Sequence, residues 1–362
     1  MTRQVNMDRS GRETIRASEE GRWDHVFAAI DLGTNNCRLL VARPMKSGFR
    51  VVDAFSRIVR LGQGVGADGV LSDEAMDRTI SALKVCASKM RRRGVTLARN
   101  VATEACRKAE NGAVFASKVA KETGLMLDII TPQEEARLAM TGCAPLLDAD
   151  CENAIVFDIG GGSTELMWLS LDNPANPEIL AWTSLPCGVV TLAEKFGGHN
   201  SDHSSYESMI SYVTELLAPF EKKHQLSQRV ARGGVQTLGT SGTVTTLACM
   251  LLALPKYDRS KVDGVWIERE EVSEISRNLA FMTHEQRVSQ PCIGFGRADL
   301  VVAGCAILEA INRLWPCDRL RVADRGVREG LLTEMMQAAD ASRTEQFEFP
   351  VRSPLAQGAP LA

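Results

Sequence analysis

The feature that most constrains this chain is a pattern that occurs twice. Ala28-Ala29-Ile30-Asp31-Leu32-Gly33-Thr34-Asn35 is echoed by Ala154-Ile155-Val156-Phe157-Asp158-Ile159-Gly160-Gly161-Gly162-Ser163-Thr164. Each copy is an apolar run that reaches an aspartate and then a loop rich in glycine, hydroxyl or amide residues. Apolar residues resume after both, at 39–41 and 166–169, so each copy reads as strand, tight loop and returning strand. The two aspartates lie a domain's length apart, and 362 residues suit two units of roughly 150 residues each. A duplicated α/β fold with a cleft between its halves follows.

The rest of the chain fits around that duplication. Residues 51–55 read as a third strand. Ser72 is a helix N-cap with Asp73 and Glu74 in the first turn. Met76, Ile80, Leu83, Ala87 and Met90 keep helical spacing, and Gly94 ends the run. The cations Lys89, Arg91, Arg92 and Arg93 fall in the last turn, where they complement the helix dipole. Residues 1–24 are polar and aperiodic, which reads as a disordered leader. The expected units are 25–149 and 150–339, meeting near 147–152. A flexible tail is expected over 340–362, punctuated by Pro350, Pro354 and Pro360.

Charge and apolar content exclude several function classes. Lys plus Arg number 42 against 45 Asp plus Glu, which argues against a dedicated nucleic-acid binder. No run reaches the roughly 18 apolar residues of a membrane helix, and the N-terminus lacks a secretory pattern, so a cytoplasmic protein is expected. The ten cysteines contain no C-x-x-C and sit mostly in apolar runs, as small hydrophobes. His199 and His203 have the spacing of a metal pair but lack a third ligand, and they read as surface loop.

The glycine loops carry the chemistry. Glycines let backbone N–H groups approach a phosphate, and successive N–H groups form an anion-binding concavity. Gly33, Thr34 and Asn35 in one copy and Gly160, Gly161, Gly162, Ser163 and Thr164 in the other are the candidate phosphate binders. A third loop, Gly239-Thr240-Ser241-Gly242-Thr243, leads into an apolar helix expected over 244–254 and offers donors at a helix N-terminus. Asp31 and Asp158 supply hard oxygen ligands for Mg²⁺ or Mn²⁺, or orient a water. Glu165 enters an apolar strand, where a buried carboxylate needs a partner or a metal. Thr131 at N-cap, Pro132 at N1 and Glu134 at N3 form a capping box, which leaves Glu135, about 100° around the helix, as the candidate general base. Arg107 and Arg60 each fit either a guanidinium fork on phosphate or a surface ion pair. Arg328, between Gly326 and Gly330, is a weaker candidate.

Taken in order, these motifs resemble the exopolyphosphatase/guanosine pentaphosphate phosphohydrolase (Ppx/GppA) family. The resemblance covers residues 26–338. It rests on Asp31-Leu32-Gly33-Thr34-Asn35, Ala102-Thr103 with Arg107, Glu134-Glu135-Ala136-Arg137-Leu138, Asp158 through Glu165, Gly239 through Thr243 and Arg328-Glu329-Gly330. That family belongs to the actin-like ATPase, sugar kinase and Hsp70 superfamily. The resemblance therefore implies duplicated ribonuclease H-like domains around an interdomain cleft. It further implies that Glu135 is the catalytic base, that Asp158 and Glu165 organise Mg²⁺ and the attacking water, and that the glycine loops and Arg107 hold the phosphate chain. Asn36 departs from the Ser or Thr common in the family. The chain stops soon after Gly330, so the C-terminal helical domain of long members is expected to be absent.

The expected activity is hydrolysis of terminal phosphates from inorganic polyphosphate. Guanosine pentaphosphate is the alternative substrate, since the same loops serve both. A superfamily kinase and a non-catalytic sensor of guanosine tetraphosphate are further alternatives, and the intact set Glu135, Asp158 and Glu165 speaks against the sensor. A homodimer is expected only because such dimers are the commonest soluble oligomers.

Overall fold

The computed structural model describes residues 25–173, 176–197 and 203–347. The expected leader, His199 and residues 348–362 of the expected tail lie outside these residues, as do the side chains of His203 and of 341–347.

The repeated pattern becomes two hairpins of one plan. Strand β1 (Phe27–Leu32) turns into β2 (Asn36–Pro44), and β6 (Asn153–Ile159) turns into β7 (Thr164–Ser170). Gly33 N donates to Asn36 O at 2.9 Å and Gly160 N to Ser163 O at 3.0 Å, so both loops close with the same hydrogen bond. Both aspartates sit inside their strands rather than in the loops. Asp31 lies opposite Arg38, and Asp158 lies opposite Glu165. The returning strand begins at Asn36, earlier than the apolar run at 39–41 indicated, because Asn36, Cys37 and Arg38 already pair with β3 (Phe49–Ile58).

Each hairpin grows into a mixed sheet. β1 pairs antiparallel with β2 and parallel with β4 (Leu97–Ala102). With β5 (Asp128–Ile129) the first sheet has the order β3-β2-β1-β4-β5. β6 likewise pairs antiparallel with β7 and parallel with β9 (Val235–Thr240). Adding β8 (Glu178–Leu185), β10 (Trp266–Glu268) and β11 (Arg319–Ala323) gives β10-β11-β9-β6-β7-β8. Apart from Asn153 and the two aspartates, β1 and β6 are apolar because both faces of each are covered. Ala28, Ile30 and Leu32 face one core while Phe27 and Ala29 face another; Ile155 and Phe157 divide from Ala154 and Val156 in the same way.

The helix Asp73–Arg92 starts at Ser72, whose hydroxyl accepts from Ala75 N at 3.3 Å, and its five spaced apolar residues are all buried. Gly94 ends it at φ +65°. Its basic end does more than oppose the dipole. Lys89 Nζ and Arg93 Nε each lie 2.8 Å from the Asp53 carboxylate on β3, with Arg92 at 3.8 Å. Those bonds hold the Asp53 carboxyl down at about 2.

Two features depart from expectation. The last helix, Val327–Phe347, runs past residue 339, because 340–347 hold no Gly or Pro to break it and include the good helix formers Ala341, Arg343, Glu345 and Gln346. It also returns to the first sheet, where Val327, Leu331, Leu332 and Met336 pack with Phe27, Ala29, Leu40 and Ala42 of β1 and β2. A linear division at 149/150 gives this helix to the second half, although in space it covers the first. It crosses the helix Pro132–Cys143 at backbone contact, since a Cβ on Gly330 would meet Leu138 O at 2.1 Å and one on Gly142 would meet Gly326 O at 2.1 Å. Among the described residues no helix is long and apolar enough to cross a membrane.

Candidate active site

A cleft of about 970 Å³, open to solvent, lies where the two hairpin loops meet. Asp31, Gly33, Thr34 and Asn35 line it from the first half, and Asp158, Gly160, Gly161, Gly162 and Ser163 from the second. Ser241, Gly242, Thr243 and Glu135 complete the expected set that reaches it. The loops touch one another. A Cβ on Gly161 would lie 2.9 Å from Thr34 Cβ, and one on Gly162 would lie 2.8 Å from the Thr34 hydroxyl. These glycines therefore serve loop-to-loop approach as well as exposing N–H groups.

Glu135 is placed as its helix register requires. Thr131 Oγ1 accepts from Glu134 N at 3.2 Å, with Pro132 at the first turn. The capping box stays half made, because the Glu134 carboxylate goes to Arg99 Nη2 at 2.6 Å. Glu135 turns toward the cleft with only 12% of its side chain exposed. Desolvation and then Glu165 push its carboxyl well above the usual carboxylate range; Arg107 pulls it back, and Asp31 and Asp158 add repulsion.

Arg107 does not line the cleft. Its guanidinium donates to Glu104 Oε2 at 2.7 Å, to Ile130 O at 2.6 Å and to Glu135 Oε2 at 3.2 Å from both Nη atoms. All of its reach is spent on holding Glu135 and Glu104, so the phosphate fork expected from its sequence context is occupied. Glu165 is also set back from the cleft wall. It is 1% exposed and accepts from Ser163 Oγ at 2.7 Å and Ser184 Oγ at 2.8 Å. Its partners are hydroxyls, which answer the burial cost that a metal had been expected to answer.

Four further candidates lie elsewhere. Thr164 donates its hydroxyl to Cys187 O at 2.7 Å, and Thr240 donates to Arg325 O. Gly239 makes room for Phe157, whose ring a Cβ would approach to 2.5 Å. Arg60 faces a neighbouring cavity, 3.7 Å from Asp299, and its backbone N–H, like that of Val59, braces the first loop by donating to Asn35 O. Ser241 is an N-cap that accepts from Thr243 N and Val244 N, starting the helix Gly242–Leu251 two residues earlier than expected.

The structure adds residues that the sequence reading passed over. Arg38 and Arg297 line the cleft, and neither guanidinium has a hydrogen-bond or ion-pair partner among the described residues. Desolvation and then the neighbouring Arg38 lower the pKa of Arg297, against the pull of Tyr257 and Asp324. Past Arg38, Ser241 and Arg297 the cleft continues into a side cavity that Tyr257, Arg259 and Arg328 also line. Arg38 did have a signal, since it stands at the same offset from Asp31 as Glu165 does from Asp158. Thr103 and Glu104, which also line the cleft, fall within the Ala102–Arg107 stretch that carries the family resemblance, although neither stands out as a site residue there; Arg297 carries no distinctive pattern of its own.

The metal-binding capacity of the site follows from its donors. Among the described residues no three His, Cys, Asp or Glu side chains form a metal cage. Asp31 and Asp158 nevertheless face the cleft with no hydrogen-bond or ion-pair partner there. Desolvation, Glu165 and Asp31 push Asp158 up to about 8 against the pull of Arg38. Asp31 is raised by desolvation, opposed by Arg38 and Arg328. Two unpaired carboxylates suit a hard divalent cation that keeps waters and takes its other ligands from phosphate.

Comparisons with known proteins agree with one another. Residues 40–339 match the model of the Ppx/GppA phosphatase family. The chain is 31% identical over 320 residues to a Mycobacterium tuberculosis protein named Exopolyphosphatase 2, covering 84% of this chain and 96% of that one. The crystal structure of an exopolyphosphatase from Cytophaga hutchinsonii superposes with a TM-score of 0.78 at 25% identity, covering 87% of this chain and 98% of that one. The Aquifex aeolicus PPX-GPPA enzyme gives 0.70 at 28% identity, covering 86% and 99%.

Proposed function

From the premise that this chain belongs to the Ppx/GppA phosphatase family and is a phosphoanhydride hydrolase, we propose that it removes terminal phosphates from inorganic polyphosphate. The observation that carries this reading is Glu135. It is nearly buried, oriented by both Nη atoms of Arg107, and lines the same cleft as the two glycine loops. In that position its carboxylate accepts the proton of a water that attacks the terminal phosphorus in line with the departing oxygen. Backbone N–H groups of the loops receive charge on the transferring oxygens, and the unpaired Arg38 and Arg297 hold the rest of the chain. Arg107 keeps the base aimed and limits how far its pKa rises. A divalent cation bound by Asp31 and Asp158, Mg²⁺ or Mn²⁺, would neutralise phosphoryl charge. Glu165 acts from behind, where its field and its bonds to Ser163 and Ser184 fix the second loop.

Guanosine pentaphosphate fits the same catalytic groups, so the test runs both substrates. Phosphate release is measured with Mg²⁺ from long-chain polyphosphate and from guanosine pentaphosphate, for wild type and Glu135→Gln. Release from polyphosphate that falls by about 10²–10⁴ in the variant is the expected result. Release from the nucleotide alone would replace the substrate, and undiminished turnover by Glu135→Gln would remove the role of Glu135. A cytoplasmic homodimer is part of the same proposal: such dimers are the commonest soluble oligomers, and among the described residues no helix is long and apolar enough to cross a membrane.

A further inference from the structure

The segment that delivers Arg297 to the cleft is irregular between the helices Arg269–Phe281 and Val301–Leu314, apart from one short helix, His284–Ser289. Something must fix it, because a guanidinium placed by a loop is only as well aimed as the loop. Arg287, on the short helix, is among the largest fully buried side chains at 1% exposure. Its Nη1 donates to Met282 O at 2.7 Å and its Nε to Ala298 O at 2.9 Å. Met282 ends the incoming helix and Ala298 is bonded directly to Arg297, so one guanidinium clasps the two ends of the segment. Its Nη2 is buried with no partner. A charge left part-satisfied in this way is costly, and burial lowers its pKa.

Three consecutive residues at the end of the segment have three different anchors. Arg297 enters the cleft, Ala298 gives its carbonyl to Arg287, and Asp299 lies 2.8 Å from His284 Nε2 and 3.7 Å from Arg60. Gly296 lies close against Ile58 of β3, where a Cβ would come within 2.5 Å. The His284–Asp299 pair spans nearly the same stretch, but it is Arg287 that bonds the backbone at both ends, through Met282 O and Ala298 O. We infer that Arg287 is a positioning residue, whose clasp on Ala298 and Met282 aims Arg297 at the substrate phosphates. This rests on the phosphate-binding role proposed above for Arg297.

The test is a double-mutant cycle with the full chain, using whichever of polyphosphate and guanosine pentaphosphate the wild type hydrolyses. Arg287→Met keeps the volume and removes the donors; Arg287→Lys keeps the charge and removes the planar fork. Arg287→Met should raise KM about 10-fold and change kcat less than about 3-fold, with Arg287→Lys between it and wild type. In an Arg297→Gln background the same substitution should change KM less than about 2-fold, because the group it aims is gone. An effect that persists in full on Arg297→Gln would overturn the inference, as would failure of both Arg287 variants to fold, which would make the residue purely structural. Hydrogen exchange read separately should show faster exchange over 290–299 in Arg287→Met and no change in β1 or β6. If the wild type hydrolyses neither substrate, the functional reading falls, and unchanged exchange over 290–299 then overturns the clasp by itself.

Discussion

At the scale of single residues the cleft is an accumulation of unpaired charge. Asp31 and Asp158 face it without partners, Glu135 lines the same cleft, and Glu165 adds repulsion from behind. The folded protein therefore holds protons on Asp158 that the unfolded chain releases near 3.8, and the stability tied to that carboxyl is lost as pH rises toward about 8. Asp158→Asn removes the repulsion. In cation-free buffer above pH 7 it should raise Tm, by about 2–4 °C for each kcal/mol recovered, while phosphate release disappears. A lower Tm in that variant would show that the carboxylate is compensated in a way the geometry does not contain. Residue type was readable here while partnership was not. Arg107 looks like a phosphate fork in sequence, and only the fold shows Glu104 and Glu135 already filling it. Glu165 reads as costly in sequence; of its two donors Ser163 is a near neighbour in the chain, while Ser184, on β8, has no visible tie to it. Arg38 could have been found by laying one repeat on the other.

At the scale of elements, local chemistry set where helices begin and packing set where they go. Ser72 and Thr131 cap as their sequences indicate, yet the Glu134 carboxylate leaves its own capping box for Arg99 on β4. No local rule gives the choice between a backbone N–H and a distant arginine. The basic helix end shows the same limit, since Asp53 is invisible to any reading of residues 89–93. Its carboxyl sits at about 2 when folded, so its pairing stabilises the protein fully above pH 4, and that contribution is lost as pH falls toward 2. With its cationic partners partly exposed, Asp53→Asn should cost about 1 kcal/mol at pH 7 and nothing near pH 2, measured by urea unfolding. The crossing of Pro132–Cys143 with Val327–Phe347 is less forgiving. Gly330→Ala drives a methyl into Leu138 O and should cost about 2–3 kcal/mol. It should also depress kcat, because the displaced helix carries Glu135; an unchanged Tm and kcat would mean the helices part freely.

At the scale of the whole molecule, the duplication foretold two sheets and a shared cleft, and the two hairpins close with matching bonds as the repeat implies. Binding of a divalent cation should couple to global stability. Saturating Mg²⁺ at about 100 times its Kd adds about 2.7 kcal/mol to wild type by mass action, and should add nothing to Asp31→Asn/Asp158→Asn in the same thermal scan. An equal shift in both would place the cation elsewhere. The return of the final helix to the first sheet was not legible, because an apolar stripe states that a helix is covered and not by what. That return also sets an order on how the protein is made. During synthesis the first half leaves the ribosome with Phe27, Ala29, Leu40 and Ala42 covered only in part, by Ile130, Leu138 and Ala139, and the helix that completes the cover is translated after the whole second sheet. The two halves cannot mature one after the other like beads on a string. The amino-terminal sheet stays a partly open, sticky intermediate until the helix Val327–Phe347 exists, and a nascent chain arrested before Val327 would be a substrate for chaperones rather than a finished domain.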